Sequence, residues 1–392
     1  MMKKFLPLFV LLMLLLCLPA LCEEAQDITE SCTYTLSNNK KQMSAVFDND
    51  YATIWSSNHR GYVEIAAPDD TPICGLYVSW GKFITKWCIQ AQDESGAWKT
   101  VYETDDEYYN QYIPLTQGYS AVRLTCQSPD YEHVVNISEL RVFSEGELPA
   151  WVQQWETLDG KADLVLLVTD PGDEFLFFGG LIPTYIAQGR EVMLCVVVNT
   201  DAPYKCEMLD GLWQCGLTNY PYIAYFKPNM QATAKQQYAV WSEVQFVRHV
   251  SRIVRIYKPD VLVTHAIDGE GVDGGHKVCA DAAIKAITTA MDSKYDVGYG
   301  VKLFGNWQMK KLYLHLYGSS RTVLDYDQPL ELFDGKTAAQ MAEAAYGLQT
   351  YQNKKHASAQ LGEGIYDGSS FGLYFSTVGE DTAMNDLFEN LD

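Results

Sequence analysis

The chain has 392 residues, with 29 Lys plus Arg against 50 Asp plus Glu, a net charge of −21. That length allows two or three domains, each with a sizeable core. The acid excess excludes a nucleic-acid surface, which needs a basic face to displace phosphate counterions, and argues against adhesion to anionic lipid.

The N-terminus has the order of an export signal. Lys3 and Lys4 form a positive start, Phe5 to Leu18 is almost unbroken apolar chain, and Pro19-Ala20-Leu21-Cys22 supplies a cleavage site before Glu23. Leu21 is bulky where a lipid anchor on Cys22 would want a small residue, and the apolar core is short for a retained span. A signal peptide over 1–22 and a secreted or extracellular protein without stable membrane insertion are expected. Eight cysteines follow: Cys32, Cys74, Cys88, Cys126, Cys195, Cys206, Cys215 and Cys279. None forms a Cys-x-x-Cys pair, so a zinc ribbon or redox motif is not supported. An oxidising compartment permits disulfides, but Cys195 lies in an apolar run and Cys279 on an expected helix, where buried thiols are expected.

From about 27 to 147 short alternating segments follow one another: 62–65, 75–79, 87–90, 121–125 and 140–143, separated by turns such as Asp69-Asp70 and Glu94-Ser95-Gly96. Period-two alternation with polar turns predicts an antiparallel β-sandwich. Ala45-Val-Phe-Asp-Asn-Asp-Tyr-Ala-Thr-Ile-Trp-Ser-Ser57, Gln92 to Trp98 and Ile137 to Phe143 resemble the opening, a later hairpin and the closing strand of discoidin-type (coagulation-factor type C, galactose-binding-like) domains. The resemblance implies sugar-binding loops at one end and a structural calcium at Asp48, Asp50, Thr53 and Glu139, whose hard oxygens suit that ion. The bland alternative is that Asp48 and Asp50 cap a turn. Tyr51, Trp55, His59 and Tyr62 could stack on a sugar ring, with Trp55 expected in the core instead.

Residues 148–160 read as a linker, and the pattern then changes. Leu164 to Val168 and Glu191 to Val198 are continuous apolar runs. Ala232 to Tyr257 predicts one long amphipathic helix with Val240, Val244, Val247, Val250 or Ser251, Val254 and Tyr257 on its apolar face. Asp260 to Thr264 is the next strand, and a helix through Ile287 opens at His276. Strands alternating with helices predict a parallel α/β sheet over 161–392, with ligands at the C-terminal strand ends.

Thr169-Asp-Pro-Gly-Asp-Glu174 followed by Gly179-Gly180, and Gly269 to Ala282, lie at such ends. Together with Glu207 to Trp213, Lys311 to His315, His356 to Gln360 and Phe371 to Tyr374, they resemble the LmbE-like, or PIG-L, family of zinc-dependent N-deacetylases, and imply its Rossmann-like fold. The resemblance places Asp170, Asp173 and His276 at the metal-ligand positions, for zinc or another divalent metal. It places Gly172 at the general-base position, where no side chain can take a proton. Asp273 stands at the first His of the family's His-x-x-His segment and is the candidate substitute base. Glu174, Tyr204, Glu207, Glu270, His315 and His356 fall around the implied pocket. The alternative for Asp170 and Asp173 is helix capping. His265 is expected as a satisfied core residue, and His249 as exposed. Two functions are implied: an amide hydrolase of N-acetylglucosamine-type sugars with an eroded centre, or a non-catalytic carbohydrate- or cell-surface-binding protein using both domains. A carbohydrate or amino-sugar glycan is the expected partner, and no nucleic acid.

Overall fold

A computed structural model describes residues 23–38, 40–58, 61–82, 87–104, 108–126, 134–298, 304–356 and 359–391. The expected signal peptide and His59 lie outside the described residues. No helix among the described residues is long and apolar enough to cross a membrane.

The N-terminal part, the smaller of the chain's two unequal halves, is an all-β sandwich. One sheet takes β1 (Thr33–Leu36), β3 (Tyr62–Ala66), β8 (Ala121–Cys126), β5 (Trp87–Gln92) and β6 (Trp98–Glu103), in that order. The other takes β2 (Trp55–Ser56), β9 (Asn136–Phe143), β4 (Ile73–Trp80) and β7 (Asn110–Tyr119). All the pairings between these strands are antiparallel. Alternation is clean where one face meets solvent: Val63 and Ile65 in β3, and Val122 and Leu124 in β8, are buried between more exposed neighbours. It fails in β4 because both faces are covered. Leu76, Val78 and Trp80 enter the sandwich core, while Tyr77 and Ser79, also buried, point the other way. Trp55 is fully buried, with its Nε1 donating to the Asn38 carbonyl at 3.1 Å.

The second half carries a seven-stranded sheet in the order β12 (Tyr222–Phe226), β11 (Val192–Val198), β10 (Leu164–Val168), β13 (Val261–Thr264), β14 (Lys311–His315), β16 (Ser370–Ser376) and β15 (Thr322–Val323). The first five are parallel, but β16 runs antiparallel to both β14 and β15. The sheet is therefore mixed, a correction to the all-parallel expectation. β16 returns to β14 antiparallel after two helices, Ala338–Leu348 and Thr350–Lys355, and β15 pairs antiparallel on its outer edge.

Both faces of β10 are covered, which explains its unbroken apolar run. Leu164, Leu166 and Val168 pack against α1 (Asp173–Leu176), α2 (Leu181–Ala187), α3 (Ala202–Gln214) and α7 (Ala338–Leu348), while Val165 and Leu167 pack on the side of α4 (Ala234–Trp241), α5 (Glu243–Tyr257) and α6 (Gly274–Thr289). The strand order reverses between β10 and β13, so the crevice beyond their carboxyl ends is where such a sheet can hold a ligand. A short helix, α8 (Thr350–Lys355), follows α7.

The single long helix expected over 232–257 is two. Ser242 adopts φ 59° and ψ 111°, so α4 ends there and α5 starts in a new direction. Val240 and Val244 are exposed, while Phe246, Val247, Val250, Ile253 and Val254 form the buried face. His249 is buried as well, against its expected exposure. It sits among the rings of Tyr222, Tyr225 and Phe226, and burial, helped by Arg252, lowers its imidazole pKa to about 3.

The two halves pack through polar side chains, among them Tyr51, whose hydroxyl donates to Asp210. Asp210 on α3 accepts hydrogen bonds from Tyr51 Oη at 2.9 Å, Asn110 Nδ2 at 3.2 Å and Gln153 Nε2 at 2.6 Å. Lys205 Nζ donates to Tyr109 Oη and Asn199 Oδ1, both at 2.8 Å. The segment expected to be a linker is partly interior, with Val152 and Gln153 buried.

Candidate metal centre at the strand crossover

β10 delivers Thr169 and Asp170 into the crevice, and the turn after them places Asp173 and Glu174 in the first turn of α1. Asp173 Oδ2 accepts the Asp170 N–H at 2.8 Å, so this carboxylate also closes the turn. β13 delivers His265, and the following loop delivers Glu270 and Asp273. Asp273 is the N-cap of α6, its Oδ1 accepting from Gly275 N at 2.7 Å and His276 N at 3.3 Å. His276, in the first turn of α6, therefore faces Asp173 across the crevice.

The ligand atoms of Asp173, His265 and His276 lie within 4.8 Å of one another, and all three residues are buried. His276 Nε2 is 3.4 Å from Asp173 Oδ2 and 3.8 Å from Asp273 Oδ2. The His265 and His276 rings stack at 4.0 Å between centroids, 3° from parallel. Behind them Glu270 gathers three imidazoles: its Oε2 lies 2.9 Å from both His265 Nδ1 and His276 Nδ1, and its Oε1 2.7 Å from His315 Nδ1. Burial opposes ionisation of Glu270, but the imidazoles outweigh it and hold the carboxyl well below the usual range. Burial likewise opposes charging His276, yet Asp173 and Glu270 raise its pKa well above an ordinary imidazole's.

This donor set fits a divalent cation in part. Glu270 lies beside His276 Nδ1 and Nε2 is turned toward Asp173, a carboxylate–imidazole arrangement of the kind that orients metal ligands. Asp173 and His276 would hold the ion. His265 is less free, because its Nε2 accepts the Thr169 N–H at 3.1 Å. It is thus the satisfied core residue expected from the sequence and also a member of the group. Asp170, expected as a ligand, is buried with its carboxylate 3.7 Å from Lys355 Nζ on α8. Burial, reinforced by Asp173, lifts its pKa to about 6.

Gly172 is a wall position. Its φ is +104°, and a Cβ there would come 2.5 Å from Gln352 Cγ and 3.0 Å from Gln349 Oε1. Glu174 accepts from Gly172 N at 2.7 Å and Gln349 Nε2 at 2.6 Å, and burial pushes its pKa up to about 7. Glu207 accepts from Thr350 Oγ1 at 2.5 Å. Both carboxylates thus bind the α7–α8 region down. His315 lies beneath Glu270, its Nε2 donating to the Asp367 carbonyl at 2.9 Å. His356 is half-buried, 6.5 Å between ring centroids from Phe177. Tyr204 is half-buried on α3. Lys355, Gln349 and Gln352 carry no motif in the sequence. Their role arises only because α8 folds back over the crevice.

The expected calcium residues also meet. Asp48 accepts from Asp50 N at 3.1 Å and from Thr53 Oγ1 at 2.8 Å, Asp50 accepts from Ala52 N at 2.9 Å, and Glu139 Oε1 accepts from Asp50 N at 3.1 Å. Glu139 Oε2 pairs with Arg141 at 3.2 Å. The turn-capping alternative describes these bonds, which protein donors supply. Tyr62 lies under the Arg123 guanidinium, 4.4 Å from ring centroid to Cζ, on the sheet face.

All eight described cysteines are free thiols. Burial pushes the Cys195 and Cys279 pKa values upward, as inert core positions require.

About a third of the chain is similar to solved carbohydrate-binding and type C domains. A family 32 carbohydrate-binding module from Clostridium perfringens NanJ, solved with galactose, is 17% identical over 31% of this chain and 99% of its own, with a TM-score of 0.26. An F5/8 type C domain from Bacteroides fragilis is 15% identical over 32% and 99%, with a TM-score of 0.26. A pectin-binding carbohydrate-binding module is 18% identical over 32% and 96%, with a TM-score of 0.25. No protein-family model matches the chain, and no curated protein matches it.

Proposed function

We propose that this chain is an extracellular glycan-binding protein whose α/β half keeps a cation-capable centre of the N-deacetylase type without the base that turnover needs. The observation that carries the reading is Gly172, at the position where the family resemblance expects the proton-accepting Asp. It has no side chain, its backbone is left-handed, and Gln352 occupies the space a side chain would need. Losing a general base removes roughly 10²–10⁴-fold of rate.

A zinc ion at Asp173 and His276 would supply a bound water of lowered pKa. The residues around that position restrict proton transfer. Asp273, the substitute candidate, commits Oδ1 to the α6 N-terminus and keeps only Oδ2 for a proton. The Lys355 ammonium stands beside Asp170 and favours its ionised form, so the carboxylate is paired rather than free to take a proton. Support for glycan binding comes from the discoidin-like pattern of residues 27–147.

The test is acetate release from N-acetylglucosamine oligomers by the full chain with zinc, manganese or calcium, beside retention on immobilised glycans. Retention without acetate release is the expected result. Acetate release that ceases on chelation and in Asp273→Ala would overturn the non-catalytic reading and make Asp273 the working base.

A further inference from the structure

A cleft of about 970 Å³ lies between the sandwich and the α/β half, and the crevice cluster takes no part in lining it. Its sandwich wall is the outward face of β4 and β9, including Tyr77, Ser79 and Arg141. Trp151, from the connecting segment, packs on that wall, Trp213 and Gln214, from α3, form the opposite side, and Lys336 also lines the cleft.

Two features mark it as a built ligand site. First, Trp151 is 48% exposed yet held by rings: edge-on to Tyr77 at 5.5 Å between centroids, and tilted against Phe143 at 5.9 Å. An exposed indole clamped from behind offers a flat apolar platform at little entropic cost. Second, the Tyr77 hydroxyl and the Ser79 hydroxyl, on residues 4% and 0% exposed, have no hydrogen-bond partner among the described residues. Leaving two such groups unpaired in a wall is costly unless something in the cleft meets them.

From this geometry we infer that the cleft seats an uncharged oligosaccharide, one pyranose lying its C–H face on Trp151 while its hydroxyls pair with Tyr77 Oη and Ser79 Oγ. The inference rests on the glycan-binding reading and gives it a place. Charge selects the neutral class. The whole chain carries −21, and in the cleft Arg141 is already paired with Glu139 while Asp334 offsets Lys336. A polyuronate would meet repulsion at every range.

The experiment titrates the full chain with N-acetylchitotriose, galactobiose and cellotriose, and with polygalacturonate as the acidic comparator, reading heat and tryptophan fluorescence. At least one neutral sugar is expected to bind and to shift tryptophan emission. Trp151→Ala should weaken it about tenfold or more, and Tyr77→Phe about 2- to 10-fold. Because Tyr77→Phe removes only an unpaired buried oxygen, its unfolding midpoint should hold or rise while affinity falls, a split that a purely structural tyrosine would not show. Neutral-sugar binding unchanged in both variants would overturn the cleft and leave the glycan reading standing. Binding of polygalacturonate alone would overturn the neutral class. No binding of any probe would overturn both.

Discussion

At Gly172 a carboxymethyl side chain would start from a Cβ 2.5 Å from Gln352 Cγ, on a backbone at φ +104°. Gly172→Asp should therefore lower stability by about 1–3 kcal/mol in urea unfolding, the scale of a left-handed non-glycine residue. Pairing it with Gln352→Ala should recover the steric share and leave the backbone share. Full recovery in the pair would mean that the backbone conformation costs nothing here. The glycine in the turn after β10 was legible in the sequence. The occupant was not, since Gln352 lies 180 positions further along the chain. Glu270 shows the same limit. Sequence placed it near the pocket, but its hydrogen bonds to His265 and His315 and its approach to His276 need three elements to converge. Glu270→Gln removes a charge that three buried rings face, and should cost about 3–5 kcal/mol in the same measurement. A loss below about 1 kcal/mol would show that the imidazoles find other partners.

Among the elements, the α4–α5 break was hidden by composition. Val240, Val244 and Val247 keep apolar spacing through Ser242, so periodicity alone joins the two helices. Packing decides otherwise: Trp241 and Phe246 stack at 5.3 Å across the break, and Trp241 Nε1 reaches the Lys227 carbonyl at 3.1 Å. Satisfying both turns the chain at Ser242, whose positive φ is the local cost. Ser242→Gly should raise the thermal midpoint by the equivalent of about 0.5–1 kcal/mol, and Ser242→Val should lower it. A midpoint unmoved by both would show that this backbone is relaxed. The strands were more legible, because β10, β11 and β13 are unbroken apolar runs that burial on two faces explains. In β4 alternation was visible but its meaning was not. Tyr77 and Ser79 occupy outward positions, and only the α/β half behind them makes those positions interior.

For the molecule as a whole, the joint between the two halves centres on Asp210, and its charge sets how stability depends on pH. Burial raises its pKa to about 7, although hydrogen bonds from Tyr51 and Gln153 pull the other way. The unfolded chain would release that proton near pH 4, as an ordinary Asp does. Between those values the native state binds a proton that the unfolded state lacks, so stability falls as pH rises and levels off above about 7. Glu139, raised to about 7 by burial, adds a slope of the same sign from the sandwich side of the cleft. The urea midpoint should therefore drop between about pH 5 and pH 8. Asp210→Asn keeps the shape and an acceptor for Gln153 while removing the titration, so its profile should be flatter, and Asp210→Asn/Glu139→Gln flatter still. A profile in Asp210→Asn as steep as the parent's would mean that water reaches the joint and that Asp210 is ionised in the folded chain at about pH 5. The halves would then be held together by their aromatic contacts, Tyr108 on Tyr220 and Tyr77 on Trp151, rather than by a neutral carboxyl at the centre.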